Sequence, residues 1–253
     1  MITQIELDKL VNRFENPNFI VNDPIQFIYR GKSKKDSELG GFIASLFAYG
    51  NRKVFIKTLN EIFNKADNNI YDYIQNGDFN NLKGIGYRFS KDYDIIPMFK
   101  ILHQLYSESN GLEDLFKYSF ISDRGENYDH YLDKVVDYFY SRAPRGAGQG
   151  FYHMIPDPKK GGAMKRMNMF LRWMVRKSPV DIGIWDFMTP ADLYIPLDVH
   201  VARQARSMGL LTRKSNDYRA VRELTNRLKE FCPDDPVKYD FALFAFGVES
   251  SKK

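Results

Sequence analysis

GGAMKRMNMFLRWMVRK, residues 161 to 177, reads as one amphipathic helix in a chain of 253 residues. On a helical wheel Met164, Met167, Phe170, Leu171 and Met174 share an arc, which is the expected core face. Lys165, Asn168, Arg172 and Arg176 form a polar stripe beside it, at spacings of three, four and four. Gly161 and Gly162 leave backbone N–H groups exposed at the positive end of the helix dipole, a seat suited to phosphate. Lys159 and Lys160 add charge there, and no acidic residue stands between Lys159 and Val180. Two readings fit the segment: a solvated basic face on an ordinary surface helix, or a helix start that holds a nucleic-acid backbone with Lys165 turned into a cleft.

Downstream, Asp198 stands in PLDVHVAR, after Pro196 and before the periodic run Val199, Ala202, Ala205, Met208. That is an N-cap position, where a carboxylate accepts backbone N–H bonds. Capping keeps a carboxylate ionised and in place, so it is compatible with a second role as the acidic partner of Lys165. An ordinary lysine is protonated at neutral pH and needs help to act as a nucleophile. Arg166, Arg172, Lys160 and partial burial act in that direction, and Asp198 opposes them. His200 is expected to be a structural, hydrogen-bonding residue.

The surrounding chain supplies the fold class. Hydrophobic residues make up 43% and aromatics 15%, enough for a packed core of one large domain or two lobes. Leu39, Phe42, Ile43, Leu46 and Phe47 mark one helix, entered through caps in Ser33 to Asp36, and Val54, Phe55, Leu59, Ile62 and Phe63 mark the next. Further helices are expected at 96–107, 113–118, 127–140, 216–231 and 236–246. Alternating strand patterns are scarce, so the chain is expected to be all-α. SRAPRGAGQG at 141–150 reads as a mobile loop or lobe boundary, and PDPKKGG at 156–162 as a stiff turn into the basic helix. The expected division is therefore 1–140 and 141–253, with the first 35 or so residues free to pack on the second lobe.

Several functions are excluded or disfavoured. A single cysteine, Cys232, cannot form an intramolecular disulfide or a four-cysteine iron–sulfur or zinc site. Histidines at 103, 130, 153 and 200 show no metal-ligand spacing, so neither metal nor cofactor is expected. The start, MITQIELDKL, lacks a signal-peptide pattern, and the longest apolar run, Phe42 to Tyr49, is too short to span a membrane. A soluble cytoplasmic protein is expected. The net charge of +5 is modest, but the positive residues concentrate between Arg142 and Arg213.

MKRMNMFLRWM and LDVHVAR together resemble the lysine helix and aspartate motif of the helix–hairpin–helix base-excision DNA glycosylases, a superfamily that includes endonuclease III and the 8-oxoguanine glycosylases. The resemblance places the family lysine on Lys165, its aspartate on Asp198 and its histidine on His200. Their separation is closer to that of an archaeal 8-oxoguanine branch. Over residues 30 to 248 the chain also resembles an uncharacterised bacterial family known as a domain of unknown function, through ELGGFIASLFAYGNRKVFI and LKGIGYRF. Three features depart from the glycosylase pattern. PDPKKGGAMK replaces the usual hairpin, Val199 replaces a threonine, and the iron–sulfur cysteines are absent. LKGIGYR at 82–88 imitates a hairpin signature but reads as a tight turn.

The resemblance implies a two-lobed helical fold with a degenerate hairpin and double-stranded, damaged DNA as partner. Lys165 is then the nucleophile at the sugar C1′ of a flipped oxidised purine, and Asp198 steadies the developing positive charge. Lys159, Lys160, Gly161, Gly162, Arg166, Asn168, Arg172 and Arg176 would contact DNA. Asn51 and Arg52 would fill the gap left in the duplex; the alternative is that Gly50–Asn51 is simply the stop of the preceding helix. Trp185 and Phe187 either pack in the core or stack on the flipped base. Two alternatives stand beside this: a nucleic-acid-binding protein without the chemistry, and an interaction protein using aromatic surface.

Overall fold

The structure is a computed structural model that describes residues 2–123 and 131–250. The described residues form helices and turns and contain no strand, only three isolated bridges. The α-helices are α1 (Gln4–Phe14), α2 (Lys34–Phe47), α3 (Arg52–Lys65), α4 (Ile70–Asn76), α5 (Asp92–Glu108), α6 (Leu112–Asp123), α7 (Asp133–Ser141), α8 (Gln149–Met154), α9 (Lys165–Val175), α10 (Val199–Ser207), α11 (Tyr218–Lys229) and α12 (Tyr239–Ser250). The chain is all-α, and none of the described helices is long and apolar enough to cross a membrane. The helix expected at 127–140 is described from Asp133 onward; Asn127 to His130 lie outside the described residues.

The chain divides into two compact units, Gln26–Lys160 and the pair of segments Met1–Ile25 with Gly161–Lys253. The boundary therefore falls between Lys160 and Gly161, not near residue 140, and 25 residues join the later segment rather than 35. The physical reason lies in 141–160. Gly148 starts α8, which buries Gly150, Phe151 and Met154, so this glycine-rich stretch is packed structure and not a linker.

In the unit Gln26–Lys160, α2 is surrounded on all sides from Asp36 to Phe47. Its entry is a capping box: Ser33 Oγ accepts from Asp36 N at 3.0 Å and Asp36 Oδ2 accepts from Ser33 N at 3.1 Å. Gly40 lets the helix approach the Phe27 carbonyl, which a Cβ there would meet at 2.6 Å. Phe42 stacks on Phe139 at 5.5 Å, and Phe27 lies 4.7 Å from Phe63. Asn51 caps α3 by accepting from Val54 N at 3.3 Å. The 82–88 stretch is a turn, as expected, closed by paired backbone bonds between Tyr87 and Ser90.

In the other unit, α1 lies against α12, tied to it by the Arg13–Glu249 pair of 2.8 Å and to the turn just before it by the Lys238–Asp8 pair of 2.9 Å. Phe19 places its ring 5.7 Å from Phe14 and 6.1 Å from Phe241. Phe170, Leu171 and Met174 of α9 are fully buried, which matches the apolar arc of the wheel, and Trp173, outside that arc, is fully buried as well. Contacts ascend together along α10 and α12: the Phe244 ring is 5.9 Å from that of His200, and Arg203 donates to the Gly247 carbonyl at 3.1 Å. Asp198 and Asp240 consequently stand at the same end of this helix pair.

Candidate functional site

The basic helix begins at Lys165 and its cap position is Met164, in the left-handed region at φ 50° with no side-chain hydrogen bond to the first turn. Gly161, at φ 72°, turns the chain into it, and its carbonyl accepts from Tyr218 N at 3.0 Å. Gly161 and Gly162 are exposed, and a Cβ on either would meet nothing. The expected glycine-led helix start is thus open on its outer side. Lys159 belongs to the other unit, where it pairs with Asp137 at 3.3 Å on the surface. Such a pair contributes little, about 0–1 kcal/mol.

The polar stripe turns inward. Arg172 is only 3% exposed; its Nε donates to Asp181 at 3.1 Å and its Nη1 to Asp240. Arg176 is also buried; it donates to Asp235 at 2.7 Å, to Asp181 at 3.0 Å and, through Nη2, to Glu15 at 3.1 Å. Arg166 and Asn168 are buried too, the latter donating to the Ala163 carbonyl at 3.3 Å. The expectation that Arg166, Asn168, Arg172 and Arg176 present a DNA-contacting surface is therefore corrected. A wheel separates polar from apolar positions but not water from a buried counter-charge, and the partners here lie up to 161 residues away in sequence. Arg172 also fails as a bare cation acting on Lys165, because two carboxylates neutralise it.

Asp198 is the N-cap of α10: its Oδ1 accepts from His200 N and Val201 N, both at 2.9 Å. Asp198→Ala is expected to destabilise the protein by about 0.5–2 kcal/mol, whereas Asp198→Asn keeps the cap and removes only the charge. Urea unfolding of the two variants separates the roles, and equal losses would contradict this division. His200 is half-buried against Phe244, and its Nδ1 is buried with no hydrogen bond among the described residues.

Asp240, in the first turn of α12, was not singled out by sequence reasoning. It is 5% exposed and pairs with Arg172. Burial pushes its pKa up to about 7 against the pull of Arg172; the charge of Asp198 pushes the same way and that of Lys165 opposes it. Lys165, Asp198 and Asp240 are thereby one electrostatic group. Burial also raises Asp181, against Arg172 and Arg176. An acid inside the apolar run YDFALFAF was the available signal, and the ordinary preference for acids in a first helical turn masked it.

The raised acidity has a measurable consequence. An unfolded aspartate titrates near about 4, so folding takes up a proton between that pH and about 7. The contribution of Asp240 is most favourable below about 4 and is lost as pH rises through about 7. Relative to wild type, Asp240→Asn is expected to gain stability across that window, read from urea midpoints at pH 5 and pH 8. A pH-independent difference would show that Asp240 does not titrate there.

Trp185 is buried, with its ring edge-on to Phe170 of α9 at 5.2 Å and 5.4 Å from Phe187. Trp185 is thus a core residue beneath α9, not the exposed wall of a base pocket; Phe187 is half-buried beside it. Asn51 and Arg52 stand in the unit Gln26–Lys160, apart in the chain from the unit of Lys165 and Asp198, and Asn51 has the capping role described above.

What the arrangement offers chemically is two carboxylates at one end of the α10–α12 pair, Asp198 anchored by backbone donors and Asp240 bonded to Arg172 of the helix that Lys165 begins. No curated protein and no solved structure matches the chain. Residues 23–249 match the family model described as "Protein of unknown function (DUF2400)", and the chain belongs to that family.

Proposed function

We propose that this protein is a DNA base-excision glycosylase acting on a flipped, oxidised purine, with Lys165 as nucleophile. The observation that carries the reading is that Asp198, which caps α10, and the buried Asp240, in the first turn of α12, stand at the same end of that helix pair, with Asp240 bonded to Arg172 of the helix that Lys165 begins. An amine beside carboxylates is what displacement at a sugar C1′ requires. The lysine nitrogen forms a bond to C1′ as the glycosidic bond breaks, and the base leaves with the bonding electrons and takes up a proton. The Asp198 carboxylate, held by two backbone N–H groups, steadies the positive charge that develops on the sugar. Asp240 titrates near neutrality, so it is suited to accept the lysine proton and return it. Opening of the sugar ring at the C1′–O4′ bond, with O4′ taking up a proton, then gives an imine to Lys165; loss of a C2′ proton expels the 3′-phosphate and cuts the strand.

The open glycine-led start of α9 supports a phosphate contact, although the inward arginines leave fewer cations for DNA than the stripe suggested. Incubation with duplexes carrying 8-oxoguanine, uracil or an abasic site tests the proposal, with free base and alkali-revealed nicks as readout. Release of one base supports it. Binding without release favours the nucleic-acid-binding alternative, and no binding at low salt favours a protein-interaction role.

A further inference from the structure

Two buried guanidiniums, Arg172 and Arg176, face four carboxylates: Asp240, Asp181, Asp235 and Glu15. Asp181 links the two arginines, since one of its oxygens accepts from Arg172 and the other from Arg176. Glu15, just after α1, grips the far side of Arg176 with both carboxylate oxygens, in a fork-to-fork pair. The chain Glu15–Arg176–Asp181–Arg172–Asp240 thus runs from the N-terminal segment to the carboxylate beside Lys165 and Asp198. Both of its ends are buried: the side chains of Glu15 and Asp240 are 6% and 7% exposed. The same segment packs along α12, the helix that carries Asp240.

We infer that Glu15 is a positioning residue for the candidate site: by fixing Arg176 it fixes Asp181, and through Asp181 the guanidinium that holds Asp240. This rests on the proposed function only in treating Asp240 as part of that site. The charged groups acting on Asp240 are Arg172 and Lys165 of α9, Asp198 at the start of α10, and Asp181 in the segment after α9. Asp8 and Lys238 pair with each other between α1 and the turn before α12. With four carboxylates to two guanidiniums, each guanidinium is shared. Removing the Glu15 charge frees Arg176 to lean on Asp181, which releases Arg172 towards Asp240. The loss of one negative charge acts in the same direction, so both effects make Asp240 more acidic.

The test is a carboxyl-carbon NMR titration of the full chain, with the Asp240 signal assigned by its disappearance in Asp240→Asn. Glu15→Gln is expected to lower the Asp240 midpoint by roughly half a pH unit or more. Glu15→Asp, which keeps the charge, is expected to stay closer to wild type. Arg13→Gln cuts a different tie between α1 and α12 and is expected to leave the midpoint in place. If Glu15→Gln does not fold, Arg176→Lys takes its place; it breaks the fork while keeping the charge, and the Asp240 midpoint is expected to move. An unmoved midpoint in the folded variant, or an equal shift in Arg13→Gln, overturns the inference. The NMR signal needs no DNA, so its outcome is independent of whether the glycosylase reading survives.

Discussion

Arg172→Ala is expected to lower stability by about 3–5 kcal/mol at pH 7, because it strands the buried Asp240 and leaves the buried Asp181 with Arg176 as its one arginine partner. Arg172 is 3% exposed and is held by Asp181 at 3.1 Å and by Asp240. Burial by itself would lower the pKa of its guanidinium, but the two aspartates outweigh burial and raise it. Without Arg172 the Asp240 carboxylate must take up a proton or stay charged in a dry interior, while Asp181 shares Arg176 with Glu15 and Asp235, and each change is unfavourable at neutral pH. Because protonation removes most of that penalty, the deficit is expected to shrink at pH 5. Urea midpoints at the two pH values check both points. A loss below about 1 kcal/mol at pH 7, the range of exposed ion pairs, would mean that water reaches this cluster. Large loss on breaking such a pair does not mean that the pair stabilises the fold relative to an apolar core of the same shape.

The second large effect concerns chemistry. Lys165→Gln is expected to cut base release on the order of a thousandfold or more, since it removes the nucleophile and not merely a binding contact. Lys165 is half-buried at the first position of α9, where glutamine is a good helix former, so the fold is expected to persist. Asp198→Asn is expected to give a smaller loss, because its cap bonds survive and only charge stabilisation is removed. A Lys165→Gln protein that still turns over would place the reaction elsewhere.

Particular residues explain what was legible in the sequence. Ser33 and Asp36 announced the entry of α2 and Asp198 that of α10, because a capping side chain bonds to backbone two or three positions away, whereas Asn51 read as a helix stop and proves to cap α3. The apolar arc of α9 was legible for a related reason: helical periodicity is also local. What failed is what depends on distant partners. Arg172 and Arg176 read as solvated cations until Asp181, Asp235, Asp240 and Glu15 are brought to them. Asp240 drew no attention because its partner Arg172 is 68 residues away, and Trp185 was as good a stacking surface as a core residue until the fold sets Phe170 against it. The short helices α4 and α8 escaped notice because six or seven residues carry too little periodicity. The place of the first 25 residues beside Gly161–Lys253 is a matter of long-range packing.

The most direct test of the central claim is borohydride trapping on 8-oxoguanine, uracil and abasic duplexes, followed by mass mapping of the crosslinked peptide. A covalent adduct on Lys165 with one of these duplexes is expected, lost in Lys165→Gln. An adduct mapped to another residue, or base release with no adduct at all, would contradict Lys165 as the nucleophile.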